Sequence, residues 1–305
     1  MRTKRHNKNK IYRRTIKIKQ ARCSPKRRDK FTGFSCYTFD DLRYLRNLWN
    51  AQHPRGDPKH INTDNGRRIY DLLVKYNSNA CGKNITEACL LNQSFVPDKV
   101  RKQIKEFVFA PLAPTEWKQK PNEWLSSADI EDVIKQYEKA HKEFKFLGTT
   151  PIDFDAKMGT SCVSPSLCHF SLAKLHAEGK TKIGAVLNTD SHDKPGSHWI
   201  CLFIDIPKRL IYFFDSTGVR APKEIMDFVG RVSAQGLNMS PPMHFRFEQN
   251  YPKVHQRGNT ECGNYTLYVI IGLLRGKLTP QYLKTHTLSD KYIEKFRKLY
   301  FNSSL

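Results

Sequence analysis

The sequence predicts an α+β fold with a helical amino-terminal region. Three observations carry that expectation. Apolar residues recur at three-to-four spacing before about residue 180, they then change to short β-branched and aromatic runs, and a nearly all-apolar helix follows from Cys262 to Leu274. A chain of 305 residues has room for one sizeable core and a smaller accessory region.

Residues 1–30 carry 14 Lys or Arg against one acid, so they supply +13 of the formal net charge of +23, and the rest of the chain carries 23 − 13 = +10. Such a segment is expected to be a disordered basic arm, because like charges repel and little apolar material offsets the entropy of ordering. It is either a solvated tail or a means of attachment to nucleic acid or to a nuclear-import receptor. It lacks the apolar stretch of roughly 7 to 15 residues that a secretory signal needs. No apolar run approaches the roughly 20 residues of a membrane span. The protein is therefore expected to be non-secreted, without membrane attachment, and monomeric.

Residues 31–110 read as a helical accessory region. Thr38 and Asp41 form a capping box ahead of Leu42, Leu45, Leu48 and Trp49, and a second helix over Arg67–Tyr76 turns Ile69, Leu72, Leu73 and Tyr76 to one side. Residues 111–305 form the larger unit. Pro111, Pro114 and Pro121, with Trp117 and Trp124, mark a connecting stretch. Ser126 and Asp129 then cap a helix whose apolar side is Ile130, Val133, Ile134, Tyr137 and Phe144, closed by Gly148 and Pro151. Strands are predicted at Ile183–Leu187, His198–Ile206, Leu210–Phe214 and His244–Glu248, and helices at Pro222–Gln235, Cys262–Leu274 and Ser289–Tyr300.

Eight cysteines in a non-secreted chain are expected to be mostly free thiols. Cys81 with Cys89, and Cys162 with Cys168, are spaced too widely for the usual metal knuckle, so neither metal nor cofactor is expected.

Reactive side chains gather in the carboxy-terminal half. If the strands 198–205 and 210–215 form a hairpin whose turn is centred between Ile206 and Pro207, opposed residues sum to 413 and His198 faces Asp215. Opposed Cβ atoms lie about 4.5 to 5.5 Å apart, within reach for a carboxylate to hold an imidazole. Asp205 sits seven residues along the same strand and is badly placed for that role. Cys262 stands where a loop enters an apolar helix, a position that favours a thiolate. Cys201, in mid-strand, reads as inert core. Six residues before Cys262, the Gln256 amide could donate to an oxyanion, and Gly258 and Gly263 let the backbone turn closely. Taken singly, each residue has a bland structural explanation. Cysteine, histidine, carboxylate and oxyanion donor together match an activated nucleophile.

Gly196-Ser197-His198-Trp199, the strand end Tyr212-Phe213-Phe214-Asp215-Ser216, and Gln256 followed at the sixth position by Cys262-Gly263-Asn264 resemble the adenovirus-type and SUMO-protease superfamily of cysteine peptidases. Glu123–Ile130, Phe144–Gly148 and Pro151–Phe154 extend the resemblance toward thiol proteases of large nucleocytoplasmic DNA viruses. The resemblance implies a papain-like-clan core with a central mixed or antiparallel sheet flanked by helices over residues 111–305. It implies His198 as general base and acid, Asp215 as its orienter, Cys262 as nucleophile, Gln256 as oxyanion donor and Trp199 packing beside the site. Related viral enzymes sometimes carry Asn at the position of Asp215, which would make that member least critical. The implied activity is cleavage of viral capsid or core polyproteins at Gly-Xaa-type sites during virion maturation, with the enzyme packaged in the virion and present in host cytoplasm or nucleus. Removal of SUMO or ubiquitin-like proteins from conjugates, or acetyl transfer, is the alternative within the same clan. A nucleic-acid-binding virion protein with an idle protease fold is the alternative outside it.

Overall fold

The computed structural model describes residues 23–28, 33–81 and 87–302. The chain divides into two compact units, residues 1–113 with 298–305, and residues 114–297.

The first unit is helical. Helix α1 (Phe39–Gln52) starts at a complete capping box, in which Thr38 accepts from the Asp41 amide and Asp41 accepts from the Thr38 amide. Helix α2 (Gly66–Tyr76) is capped by Asn65 and helix α3 (Asp98–Val108) follows Pro97. Leu42, Leu45, Trp49, Ile69 and Leu73 are buried, so the predicted helix faces are the ones that pack. The end of the basic arm is packed as well. Cys23 is fully buried, pairs with Phe109 in a β-bridge and is disulfide-bonded to Cys36, while Pro25–Arg28 form a helical turn. The remainder of the arm, residues 1–22 with 29 and 30, lies outside the described residues.

The second unit holds a five-stranded mixed sheet of β1 (Phe144–Pro151), β2 (Lys182–Asn188), β3 (Trp199–Asp205), β4 (Leu210–Phe214) and β5 (Arg246–Gln249), in that spatial order. The outer pairs β1/β2 and β4/β5 are parallel and the inner pairs antiparallel. The three central strands are buried on both faces, which is why they read as continuous apolar runs without polar alternation. Ile183, Ala185, Leu187, Ile200, Leu202 and Ile204 point toward helix α5 (Lys223–Leu237), where Ile225, Phe228, Val229 and Val232 complete one core. The opposite face receives helix α6 (Cys262–Leu274), whose residues are all buried except Tyr268. Gly184 makes room there: a Cβ on it would lie 3.1 Å from Phe144 and 3.4 Å from Ile270. Helix α4 (Ser127–Ala140), started by the Ser126–Asp129 capping box, packs on β1 and α6, and helix α7 (Asp290–Tyr300) is the last element.

Three expectations are corrected. Phe144 to Pro151 are not the end of a helix but the edge strand β1: α4 stops at Ala140, and Gly148, at φ 103°, sits in a register irregularity between Phe146 and Thr149. Phe144 would also have suited the apolar side of the helix, so periodicity alone did not separate the two. The hairpin register sums to 415, not 413, because the connection spans Ile206 to Arg209, with Arg209 in the left-handed region at φ 50°. The cysteines are not mostly free. Cys23–Cys36, Cys81–Cys89 and Cys162–Cys168 are disulfide-bonded, and among the described residues Cys201 and Cys262 remain as thiols. Composition speaks to redox compartment, whereas pairing depends on which sulfurs the fold brings together. None of the described helices is long and apolar enough to cross a membrane.

Candidate active site

The ends of β3 and β4 lie together because the strands are antiparallel neighbours, so the residue before one meets the residue after the other. His198 immediately precedes β3 and Asp215 immediately follows β4. A register slip of two residues leaves side chains on the same face. The contact is therefore diagonal rather than directly across, and His198 Nε2 lies 2.8 Å from Asp215 Oδ1. Asp215 Oδ1 also accepts from the Thr217 amide at 2.8 Å and its hydroxyl at 2.7 Å. The backbone of Asp215 is gripped by Asn250, whose Oδ1 accepts from its amide and whose Nδ2 donates to its carbonyl. Burial works to raise the Asp215 carboxyl, but the donors from His198 and Thr217 outweigh it and hold it below the usual carboxylate range.

Cys262 is the first residue of α6 and is buried. Its neighbour Glu261 provides no side-chain cap, so the first-turn amides keep their capacity to donate. Asp215, and with it the neighbouring Cys262 side chain, stabilises the charged form of His198. Burial pulls the His198 imidazole down, yet these two partners prevail and it is pushed up to about 9. A protonated imidazole between a carboxylate and a thiol is the arrangement that favours a thiolate–imidazolium pair.

Gln256 is buried in the loop before α6, held by Ser216 Oγ donating to its Oε1 at 2.7 Å and by its own Nε2 donating to the Gly258 carbonyl at 2.9 Å. One Nε2 hydrogen remains beyond that bond. The loop backbone is pinned at two further places: the Gln256 amide donates to the Ser216 carbonyl, and Asp290 Oδ2 accepts from the Arg257 and Gly258 amides. Ser216, Asn250, Thr217 and Asp290 were not singled out from the sequence. Ser-Thr-Gly after Asp215 reads as an ordinary turn, and Asp290 as an ordinary helix start. Gly258 has no close-approach constraint, its nearest neighbour for a Cβ being Asp290 Oδ2 at 3.5 Å. Gly263 does, since a Cβ there would lie 2.9 Å from Leu125 Cβ.

Trp199 Nε1 donates to the Leu125 carbonyl at 2.9 Å, which ties the segment before α4 to the start of β3. Trp199, Trp124, Leu125, Thr149, Val163 and Gly196 line a cleft of about 600 Å³ at the start of β3. Asp205 caps the far hairpin turn by accepting from the Lys208 amide, and Cys201 is buried with its thiol pushed far up by desolvation. Among the described residues, one group of metal-ligating side chains converges: Cys162, Cys168 and His169. The disulfide consumes both sulfurs, leaving one ring nitrogen and no donor set for an ion.

The chain is similar to several known proteins. The Ulp1 protease family, C-terminal catalytic domain, matches residues 180–304. A thiol protease of Acanthamoeba polyphaga mimivirus is 28% identical over 298 residues, covering 92% of this chain and 93% of that protein. A cysteine protease of African swine fever virus is 33% identical over 116 residues, 37% of this chain and 41% of that protein. The crystal structure of an African swine fever virus protease superposes with a TM-score of 0.65 at 19% identity, covering 93% of this chain and 96% of that one, which establishes a shared fold.

Proposed function

We propose that the chain is a cysteine protease of the Ulp1 superfamily, an endopeptidase using Cys262 as nucleophile, His198 as general base and acid, Asp215 as orienter and Gln256 as oxyanion donor. The observation that supports this reading most directly is that one imidazole bonds a buried carboxylate and has its charged form stabilised both by it and by the cysteine that opens an apolar helix. In the reaction, the Cys262 thiolate attacks a peptide carbonyl. The oxyanion is met by the Gln256 amide and a backbone N–H at the start of α6. His198 then protonates the leaving amine and, as base, draws a proton from the water that hydrolyses the acyl-enzyme. Trp199 and the cleft beside it bind the segment flanking the scissile bond.

The natural substrates we propose are viral capsid or core polyproteins, cleaved at Gly-Xaa-type sites during virion maturation, with the enzyme packaged in the particle. Similarity to two viral proteases, one of them over nearly the full chain, supports this. The basic arm is proposed to hold the enzyme on nucleic acid. A second reading has an observation of its own, because an African swine fever virus relative 32% identical over 116 residues bears the name SUMO-1 cysteine protease.

Cys262→Ala is expected to abolish cleavage of Gly-Xaa-containing peptides and Cys201→Ala to leave it largely intact. Full cleavage by the Cys262 variant would overturn the assignment. A ubiquitin-like aldehyde probe separates the two substrate readings: a maturation protease leaves it unlabelled while cutting viral precursors, and a deconjugating enzyme is labelled at Cys262.

A further inference from the structure

Glu261, the residue immediately before the proposed nucleophile, is an acid that is 4% exposed. A buried carboxylate at that position would oppose a neighbouring thiolate, since like charges disfavour each other's ionised forms. Among the described residues, the acid is paired with one cation. Arg297 donates from Nε to both Glu261 oxygens at 3.2 Å, and its Nη2 lies 3.1 Å from Oε1, with both side chains about 5% exposed or less. Both terminal nitrogens of the guanidinium fork also reach backbone carbonyls. Nη2 donates to the Thr260 carbonyl at 2.9 Å, Nη1 donates to the Glu123 carbonyl at 2.6 Å, and the plane lies over the Trp117 ring, 4.7 Å from its centroid. Glu261 is further held by Asn264 Nδ2 at 2.7 Å, from the first turn of α6.

These contacts reach both sides of the cleavage machinery. Thr260 and Glu261 lead directly into Cys262. Glu123 lies two residues before Leu125, which accepts from Trp199, packs against Gly263 and lines the cleft. A buried ion pair is a costly way to hold a turn, and similar-sized apolar residues often do as well or better. Its retention here suits a role that depends on charge.

We propose that Arg297 is a positioning residue for Cys262, cancelling the Glu261 carboxylate beside the nucleophile while fixing the turn that presents it. The inference rests on the reading of Cys262 as nucleophile. Arginine is required rather than lysine, because two carboxylate oxygens and two backbone carbonyls need a planar fork of several donors.

The test needs no substrate. Alkylation of Cys262 by iodoacetamide is followed by mass spectrometry across a pH series in the full-length chain, with melting curves to verify folding. Arg297→Met is expected to slow alkylation near neutral pH about tenfold and to move its pH profile upward, because the carboxylate is left uncompensated. The double variant Glu261→Gln/Arg297→Met removes both charges and is expected to return to within about twofold of the parent, the signature of coupled neighbours. Glu261→Gln alone leaves the cation and is expected to move the profile downward. A folded Arg297→Met protein with an unshifted profile, or a folded double variant as slow as the single one, would overturn the proposal. Should Arg297→Met fail to fold, Glu261→Gln still decides, since an unmoved profile there overturns it too. Failure of the protease reading itself would appear elsewhere, as cleavage that survives Cys262→Ala.

Discussion

His198 and His255 are both largely withdrawn from solvent, yet they titrate in opposite directions. For His198 the loss of hydration is outweighed by the bond to Asp215 and the electrostatic pull of Asp215 and Cys262, and the imidazole is pushed up to about 9. A raised histidine contributes stability that is fully present below its unfolded value of about 6.5 and is lost as pH rises through about 9. The alkaline limb of kcat/KM for peptide cleavage is accordingly expected near pH 9, and Asp215→Asn should move it to lower pH. An unmoved limb in that variant would remove Asp215 from its assigned role. His255 takes the other path. It is 1% exposed, lies against Phe214 and Tyr265, and its Nδ1 accepts from the Leu288 amide. Burial, aided by the charge of Lys253, pulls it down to about 4. It therefore contributes stability present above about 6.5 that is lost as pH falls toward 4. Urea midpoints measured from pH 7 to pH 4 should fall less steeply in His255→Gln than in the parent.

Between elements, the turn after β4 carries a tight backbone constraint near the site. Gly218 has φ 75°, and a Cβ on it would lie 2.9 Å from the Lys253 backbone. Its amide also donates to the Asp215 carbonyl. Gly218→Ala is expected to cost about 1–3 kcal/mol in urea unfolding and to lower kcat as the Asp215 turn shifts. The two capping boxes are more forgiving. Thr38→Ala and Ser126→Ala should each cost about 1 kcal/mol, and the first should leave kcat/KM unchanged because α1 belongs to the other unit. Element identity was largely legible, since capping residues, the all-apolar α6 and the strand runs have local signatures. Edge strand β1 was not. It follows a helix of matching apolar spacing, and its strand character comes from pairing with β2.

For the whole molecule, the distribution of charge matters more than its total. Residues 1–22 carry ten Lys or Arg and no acid, so deleting them takes the formal net charge from +23 to +13. Affinity for duplex DNA at fixed salt is expected to fall and the salt slope to flatten, with peptide turnover retained. Loss of turnover together with affinity would show that the arm serves the reaction as well. The sequence by itself determined the α+β class and the helix caps and singled out His198, Asp215, Gln256 and Cys262 as the proposed site, because these rest on residue type and local spacing. It placed His198 beside Asp215 even with the register two residues out, since a shift of two preserves the face. Tertiary structure alone decided which cysteines pair, which residues grip Asp215 and Gln256, and that Arg297 closes on Glu261 from 36 positions away. Asn250, Ser216 and Arg297 reach their partners from 35, 40 and 36 positions away, their side chains have no local signature, and only the folded backbone brings those donors and acceptors within hydrogen-bond distance.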